Sequence, residues 1–152
     1  TMDSIETIRQ KSGTAQNKVW PLLMDHLEYI FQNVSKLGET LTYNDFYWTN
    51  MAVSPDRQKA VMFDYNLLGV GFPYNDIRNV CNSLSPEAGK AFVEAYGGIN
   101  EKERIFDEGL SVLINLIFAY RLPAFPSWAE ESLEAIHDGT LEQAIHSILN
   151  IC

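Results

Sequence analysis

Cationic side chains are scarce in this chain. Eleven Lys and Arg stand against twenty Asp and Glu, for a formal net charge of −9. Phosphate backbones are gripped by clustered cations, so a nucleic-acid partner is not expected. An anionic membrane surface is disfavoured on the same ground. Long apolar runs are also missing. The longest, Val112–Tyr120, is broken by Asn115 and falls short of the ~18 residues that suggest a membrane span. No basic start leads into an apolar stretch of the signal-peptide kind. Cysteine is limited to Cys81 and Cys152, whose separation matches neither a metal site nor a redox pair. Two free thiols in a reducing cytosol are therefore expected, and with them a cytoplasmic location. Internal repeats and low-complexity linkers are absent too.

What is present is ordinary globular composition. Of 152 residues, 46% are hydrophobic and 20% charged, enough for one packed domain. The acidic excess would attract a cationic small molecule, although solubility accounts for it equally well.

Helical periodicity dominates both ends. A short helix over 3–11 is expected, capped by Asp3 or Ser4 and closed near Gly13. Residues 17–36 put Val19, Trp20, Leu23, Leu27, Ile30, Phe31 and Val34 on one face, with Asn17 as cap and Gly38 past the end. His26 lies on or beside that face and reads as a packed residue. After residue 75 helices return. One is expected over 75–82. Ser85-Pro86-Glu87 opens another, with a stripe of Ala88, Ala91, Phe92, Ala95 and Tyr96 ended by Gly97-Gly98. Asn100 and Glu103 open a long helix over 101–121 whose second half is apolar nearly all round, which predicts a buried central helix. Pro123 and Pro126 end it. Ser127 with Glu130, and Thr140 with Gln143, predict two further capped helices. His137 and His146 lack metal spacing and read as solvated or packed.

Between the helical ends the period changes. Leu41–Tyr43 is short and partly alternating. Met51–Val53 and Ala60–Phe63 read as a β-hairpin closed by Ser54-Pro55-Asp56-Arg57. The expected class is thus mainly α with a small β-hairpin insert. Polar residues gather around that insert. Asp45 and Asn50 are five apart in the loop before the hairpin, and Asp64 follows the second strand, which its apolar composition predicts to be buried. Phosphoryl transfer needs such a set. One carboxylate, here Asp45, accepts or orients the proton of an attacking hydroxyl. An amide oxygen and a second carboxylate, here Asn50 and Asp64, hold Mg²⁺, a hard cation that takes few protein oxygens. The hairpin joining Asn50 to Asp64 brings them to one end of the strands.

The runs Tyr43-Asn44-Asp45-Phe46-Tyr47-Trp48-Thr49-Asn50 and Met62-Phe63-Asp64-Tyr65-Asn66, followed by Gly69-Val70-Gly71-Phe72-Pro73-Tyr74-Asn75-Asp76, resemble those of the aminoglycoside phosphotransferase / choline kinase family. That family's loop reads His-Gly-Asp-x-x-x-x-Asn, and its metal motif ends in Asp after two hydrophobic residues. The likeness covers about residues 17–121. It implies the C-terminal lobe of a protein-kinase-like α+β fold, with 17–84 as the core bearing loop and hairpin and 85–152 as a helical acceptor side. It implies phosphoryl transfer from ATP, with GTP left open as donor, with Mg²⁺, to the hydroxyl of an aminoglycoside-like or other amino-alcohol acceptor. It also implies that Asp76 braces the catalytic loop and that Tyr43 supports it.

The sequence departs from the pattern in places. Tyr43 stands where the family has His, and Asn44 where it has Gly, a replacement that tolerates left-handed backbone. Phe46, Tyr47 and Trp48 make the loop aromatic. They suit either a platform for a cationic amine or core packing, the latter preferred for Phe46. Glu130, Glu131 and Glu134, with Trp128 nearby, suit an acidic acceptor pocket of the kind the resemblance implies, although complementing a helix dipole is the preferred reading of these acids. No Gly-rich turn between strands, and no lysine in strand context, precedes residue 41. With Thr1 ahead of Met2, the expectation is a single C-terminal lobe over 1–152, cut from an absent N-terminal nucleotide-covering lobe and inactive by itself. Two other readings compete. One is a non-catalytic kinase-like binding or regulatory protein. The other is an unrelated acidic helical domain, which a missing hairpin between Asn50 and Asp64 would favour.

Overall fold

A computed structural model describes residues 1–151. Among them are seven α-helices and two separate two-stranded antiparallel sheets. The class is mainly helical, as the periodicity predicts, with one more strand pair than expected. The chain forms two compact units, Leu37–Arg104 and a second made of Thr1–Lys36 with the residues from Ile105 onward.

In the unit formed by the two ends, α1 (Met2–Lys11) starts one residue earlier than expected. Its cap is therefore Thr1, whose side chain accepts from the Ser4 amide at 3.3 Å, instead of Asp3 or Ser4. In α2 (Val19–Val34) the buried stripe is Val19, Trp20, Leu23, Leu27 and Ile30. Asn17 Oδ1 accepts from the Val19 amide at 3.0 Å, so the expected cap acts from one residue further out. Phe31 is exposed, a correction to the expected stripe, and Asn33 is buried near its end. Asn33 satisfies its amide by donating to the Tyr29 carbonyl at 2.9 Å, and His26 is half-buried. Trp20 Nε1 donates to the Thr14 carbonyl at 2.8 Å, which ties the preceding loop to the core.

Helix α5 (Glu101–Ala119) buries Phe106, Leu113, Leu116 and Ala119, while Ile114 and Phe118 stay exposed. The expected all-round burial is thus wrong: the helix has an outer face, apolar or not. After the prolines, Ser127–Ala129 forms a 3-10 turn, and α6 (Glu130–His137) begins on Ala129 with no side-chain cap. Ser127 is one turn too early to cap it. For α7 (Thr140–Ile151) Asp138 does the capping work, its Oδ1 accepting from the Thr140 amide at 2.8 Å. Helix α7 buries Leu141, Ala144, Ile145 and Ile148 and packs on α2 and α6.

In the Leu37–Arg104 unit, β1 (Thr40–Thr42) pairs with β4 (Gly69–Gly71), and β2 (Met51–Val53) with β3 (Ala60–Met62) in the register Met51↔Met62. The β1–β4 pair was not expected, since Gly-Val-Gly reads as loop. The pairing needs glycine at 71, where a Cβ would come within 2.9 Å of Thr42 Oγ1. The expected hairpin between Asn50 and Asp64 is present. Its second strand is not buried: Val61 is 58% exposed. A three-residue strand in a two-stranded ribbon has too little area to cover both faces. Helix α3 (Pro73–Ser83) starts two residues before the expected point, with Pro73 in its first turn. Helix α4 (Pro86–Tyr96) is capped by Ser85, whose side chain accepts from the Ala88 amide, and ends on left-handed Gly97. Its inward residues are Gly89, Phe92, Val93 and Tyr96, while Ala88, Ala91 and Ala95 are exposed. The inward stripe therefore lies beside the expected one.

One close approach can be tested. A Cβ on Gly109, a buried residue of α5, would meet Ile148 Cδ1 at 3.1 Å and Ile145 Cδ1 at 3.4 Å. Gly109→Val is expected to lower stability by about 2 kcal/mol through overpacking, read from the urea midpoint. A neutral result would show that the two isoleucines yield.

Candidate functional site

The loop that carries Asp45 is positioned by a carboxylate in the next helix. Asp76 sits in the first turn of α3 with 1% of its surface exposed. Its Oδ2 accepts from the Tyr43 amide at 3.0 Å and its Oδ1 from the Asn44 amide at 2.7 Å. The Tyr96 hydroxyl of α4 donates to Oδ2 at 2.7 Å. A buried carboxylate needs this many donors to offset its lost hydration. Asn44 takes φ +63°, the left-handed backbone its side chain tolerates. Its side-chain Nδ2 donates to the Leu67 carbonyl at 2.9 Å. The far end of the loop is pinned by Ser83, whose hydroxyl accepts from the Trp48 amide at 2.7 Å.

Within that frame Asp45 and Asn50 meet. Asn50 Nδ2 donates to Asp45 Oδ2 at 2.6 Å and to the Asp45 carbonyl at 3.2 Å. The 3-10 turn Trp48–Asn50 supplies the reversal that brings position 50 back over position 45. Both residues are half-buried. Asp64 reaches the same end through the hairpin, whose ladder runs one rung further, from the Phe63 amide to the Asn50 carbonyl at 3.1 Å. Asp64 is exposed and takes φ +66°. The Tyr43 hydroxyl donates to the Phe63 carbonyl, next to Asp64. Burial holds the Tyr43 phenol above its ordinary ionisation range, and the negative charges of Asp45 and Asp64 push it the same way.

The donor set suits a small divalent cation. Asn50 turns its amide nitrogen toward Asp45, so any ligation by it would fall to Oδ1, and Asp64 carries a carboxylate; both would be hard oxygen donors. Among the described residues no group of three or more His, Cys, Asp or Glu side chains is arranged to hold a metal ion.

Phe46 is a packing residue: it is buried with Tyr43 and Val80 and lies edge-on to Tyr43 and Phe92. Tyr47 and Trp48 are exposed, Trp48 by 68%. Trp128, Glu130 and Glu131 are exposed and belong to the other unit. His137 and His146 are exposed as well. Cys81 is a free, exposed thiol, and Cys152 lies outside the described residues. Sequence reasoning missed Tyr96, Phe92 and Ser83 as supports of the loop. Two aromatics four apart before Gly-Gly signalled a packed helix end and nothing more specific, and no signal marked Ser83.

Two outcomes are expected. Asp76→Ala orphans three donors, the Tyr43 and Asn44 amides and the Tyr96 hydroxyl, and should lower stability by about 3–5 kcal/mol in denaturant titration. Alkaline pH gives the second. Burial and the Asp76 carboxylate hold the Tyr96 phenol well above the ordinary tyrosine value of 10.0. The unfolded chain then releases that proton first, so stability is full below about pH 10 and falls as pH rises. Tyr96→Phe should make that decline shallower, and an unchanged slope would exclude the assignment.

No protein-family model, curated protein or solved structure matches the chain.

Proposed function

We propose that the Leu37–Arg104 unit carries the reacting centre of a Mg²⁺-dependent phosphotransferase that moves a phosphoryl group from ATP to a substrate hydroxyl. The fold proposed with it is the C-terminal lobe of a kinase-like protein of the aminoglycoside phosphotransferase / choline kinase kind, acting in the cytoplasm. The single observation that carries the reading is the side-chain pair of Asp45 and Asn50, bonded at 2.6 Å and joined by a hairpin rung to the segment bearing Asp64.

Asp45 accepts the proton of the attacking hydroxyl as its oxygen bonds to phosphorus and the donor's bridging P–O bond breaks. Asn50 donates to Asp45 and holds that carboxylate in one orientation. Asn50 Oδ1 and Asp64 would hold Mg²⁺, which when bound neutralises charge on the donor's phosphates. Asp76 keeps the loop backbone in place. The acceptor is proposed to be a small, cationic amino alcohol, met by exposed Trp48. A cation is drawn to aromatic faces.

In the full-length protein that carries this segment, Asp45→Ala should reduce turnover by about 10²–10⁴ with its folding unchanged. Steady-state kinetics over a panel of amino-alcohol acceptors with Mg·ATP makes the measurement. An undiminished rate overturns the role of Asp45. Absence of Mg²⁺-dependent nucleotide binding by that protein would favour the alternative of a non-catalytic binding or regulatory protein.

A further inference from the structure

Helix α4 contributes nothing to the proposed chemistry, yet it touches the loop through one ring and the loop's brace, Asp76, through one hydroxyl. Phe92 lies edge-on to Phe46 with ring centroids 5.0 Å apart, and it stacks on Tyr96 at 4.8 Å. Tyr96 in turn donates to Asp76 Oδ2, the same oxygen that receives the Tyr43 amide. That carboxylate is buried and supports two successive amides of the loop. A carboxylate can turn about its terminal bond, and the direction of its acceptor lone pairs turns with it. A third donor fixed by a separate helix removes that freedom.

We infer that Tyr96 is a positioning residue: its hydroxyl fixes the Asp76 carboxylate, which sets the backbone at Tyr43 and Asn44 and through it the Asp45–Asn50 pair. The stacked Phe92 holds the Tyr96 ring in register for that bond. Helix α4 is thus the outer wall of the loop's support, joined to the loop by the Phe92–Phe46 ring contact and to Asp76 by the Tyr96 hydrogen bond. The inference takes from the phosphotransfer reading only the choice of Asp45 and Asn50 as the reacting end.

Nuclear magnetic resonance on the chain tests this without any activity. In the wild-type chain the Tyr96 hydroxyl proton should exchange slowly and show a nuclear Overhauser effect to the Tyr43 amide proton, because both donate to one oxygen. Absence of that contact overturns the inference whether or not any variant folds. In Tyr96→Phe, which keeps the stacked ring, exchange of the Tyr43 and Asn44 amides should accelerate at least tenfold more than that of the β2–β3 and α3 amides. The Asn50 side-chain amide signals should also move. Uniform acceleration across the Leu37–Arg104 unit, with the Asn50 signals in place, would make Tyr96 a general stabiliser and end the proposal. Manganese added to the wild-type chain separates this from the phosphotransfer reading. Selective broadening at Asn50 and Asp64 supports that reading. Its absence counts against that reading alone, because the contact and exchange measurements decide the role of Tyr96 by themselves.

Discussion

The buried carboxylate of Asp76 is the constraint on which the Leu37–Arg104 unit turns. A charge with 1% exposure is tolerable only if donors converge on it, and the donors here come from different parts of the chain: loop amides at 43 and 44, and a hydroxyl from α4. The same bonds that keep the charge solvated hold the loop. The left-handed turn at Asn44 and the meeting of Asp45 with Asn50 follow from where those amides are held. Glu103 plays a smaller version of this part: it is buried and accepts from the Tyr74 amide at 3.2 Å and from the Asn100 side chain at 3.0 Å.

The helices were legible because their signals are local. Asn100 caps its helix as expected, accepting from the Glu103 amide while its own side-chain amide donates to the Glu103 carboxylate, and Ser85 caps the helix that Pro86 opens. Misreadings arose where a local rule met a competing neighbour. Ser127 is taken up in a 3-10 turn, and Thr140 is itself the first residue of α7, its amide accepted by the Asp138 side chain. The stripe of α4 lies one position aside, with buried Gly89 set against Cys81. Small residues at 88, 91 and 95 looked like a packing face, and only tertiary contact tells a packed alanine from an exposed one. The same holds for Val61, whose apolar run suggested burial that a two-stranded ribbon does not supply.

The candidate site was legible to the extent that its order along the chain is its order in space. Five-residue spacing, a hairpin and a following acid are features of a line of text, and the fold brings Asp45, Asn50 and Asp64 to one end of the strands. Its supports were not legible, because they depend on where α4 docks. Nothing in the spacing of Phe92 and Tyr96 says that one ring meets Phe46 and the other phenol meets Asp76.

The hairpin itself has a consequence for how the site fails. Its two strands are three residues each, and Val53 and Val61 are mostly in water. Few buried contacts hold it, so its opening free energy lies far below that of the helical core. Asn50 is tied to the loop, whereas Asp64 is tied to Asn50 through the ribbon and to Tyr43 through one carbonyl. Fraying of the ribbon therefore parts the two proposed ligands while every helix stays folded. Warming or dilute denaturant should thus dismantle this corner first, well before circular dichroism registers a loss of helix.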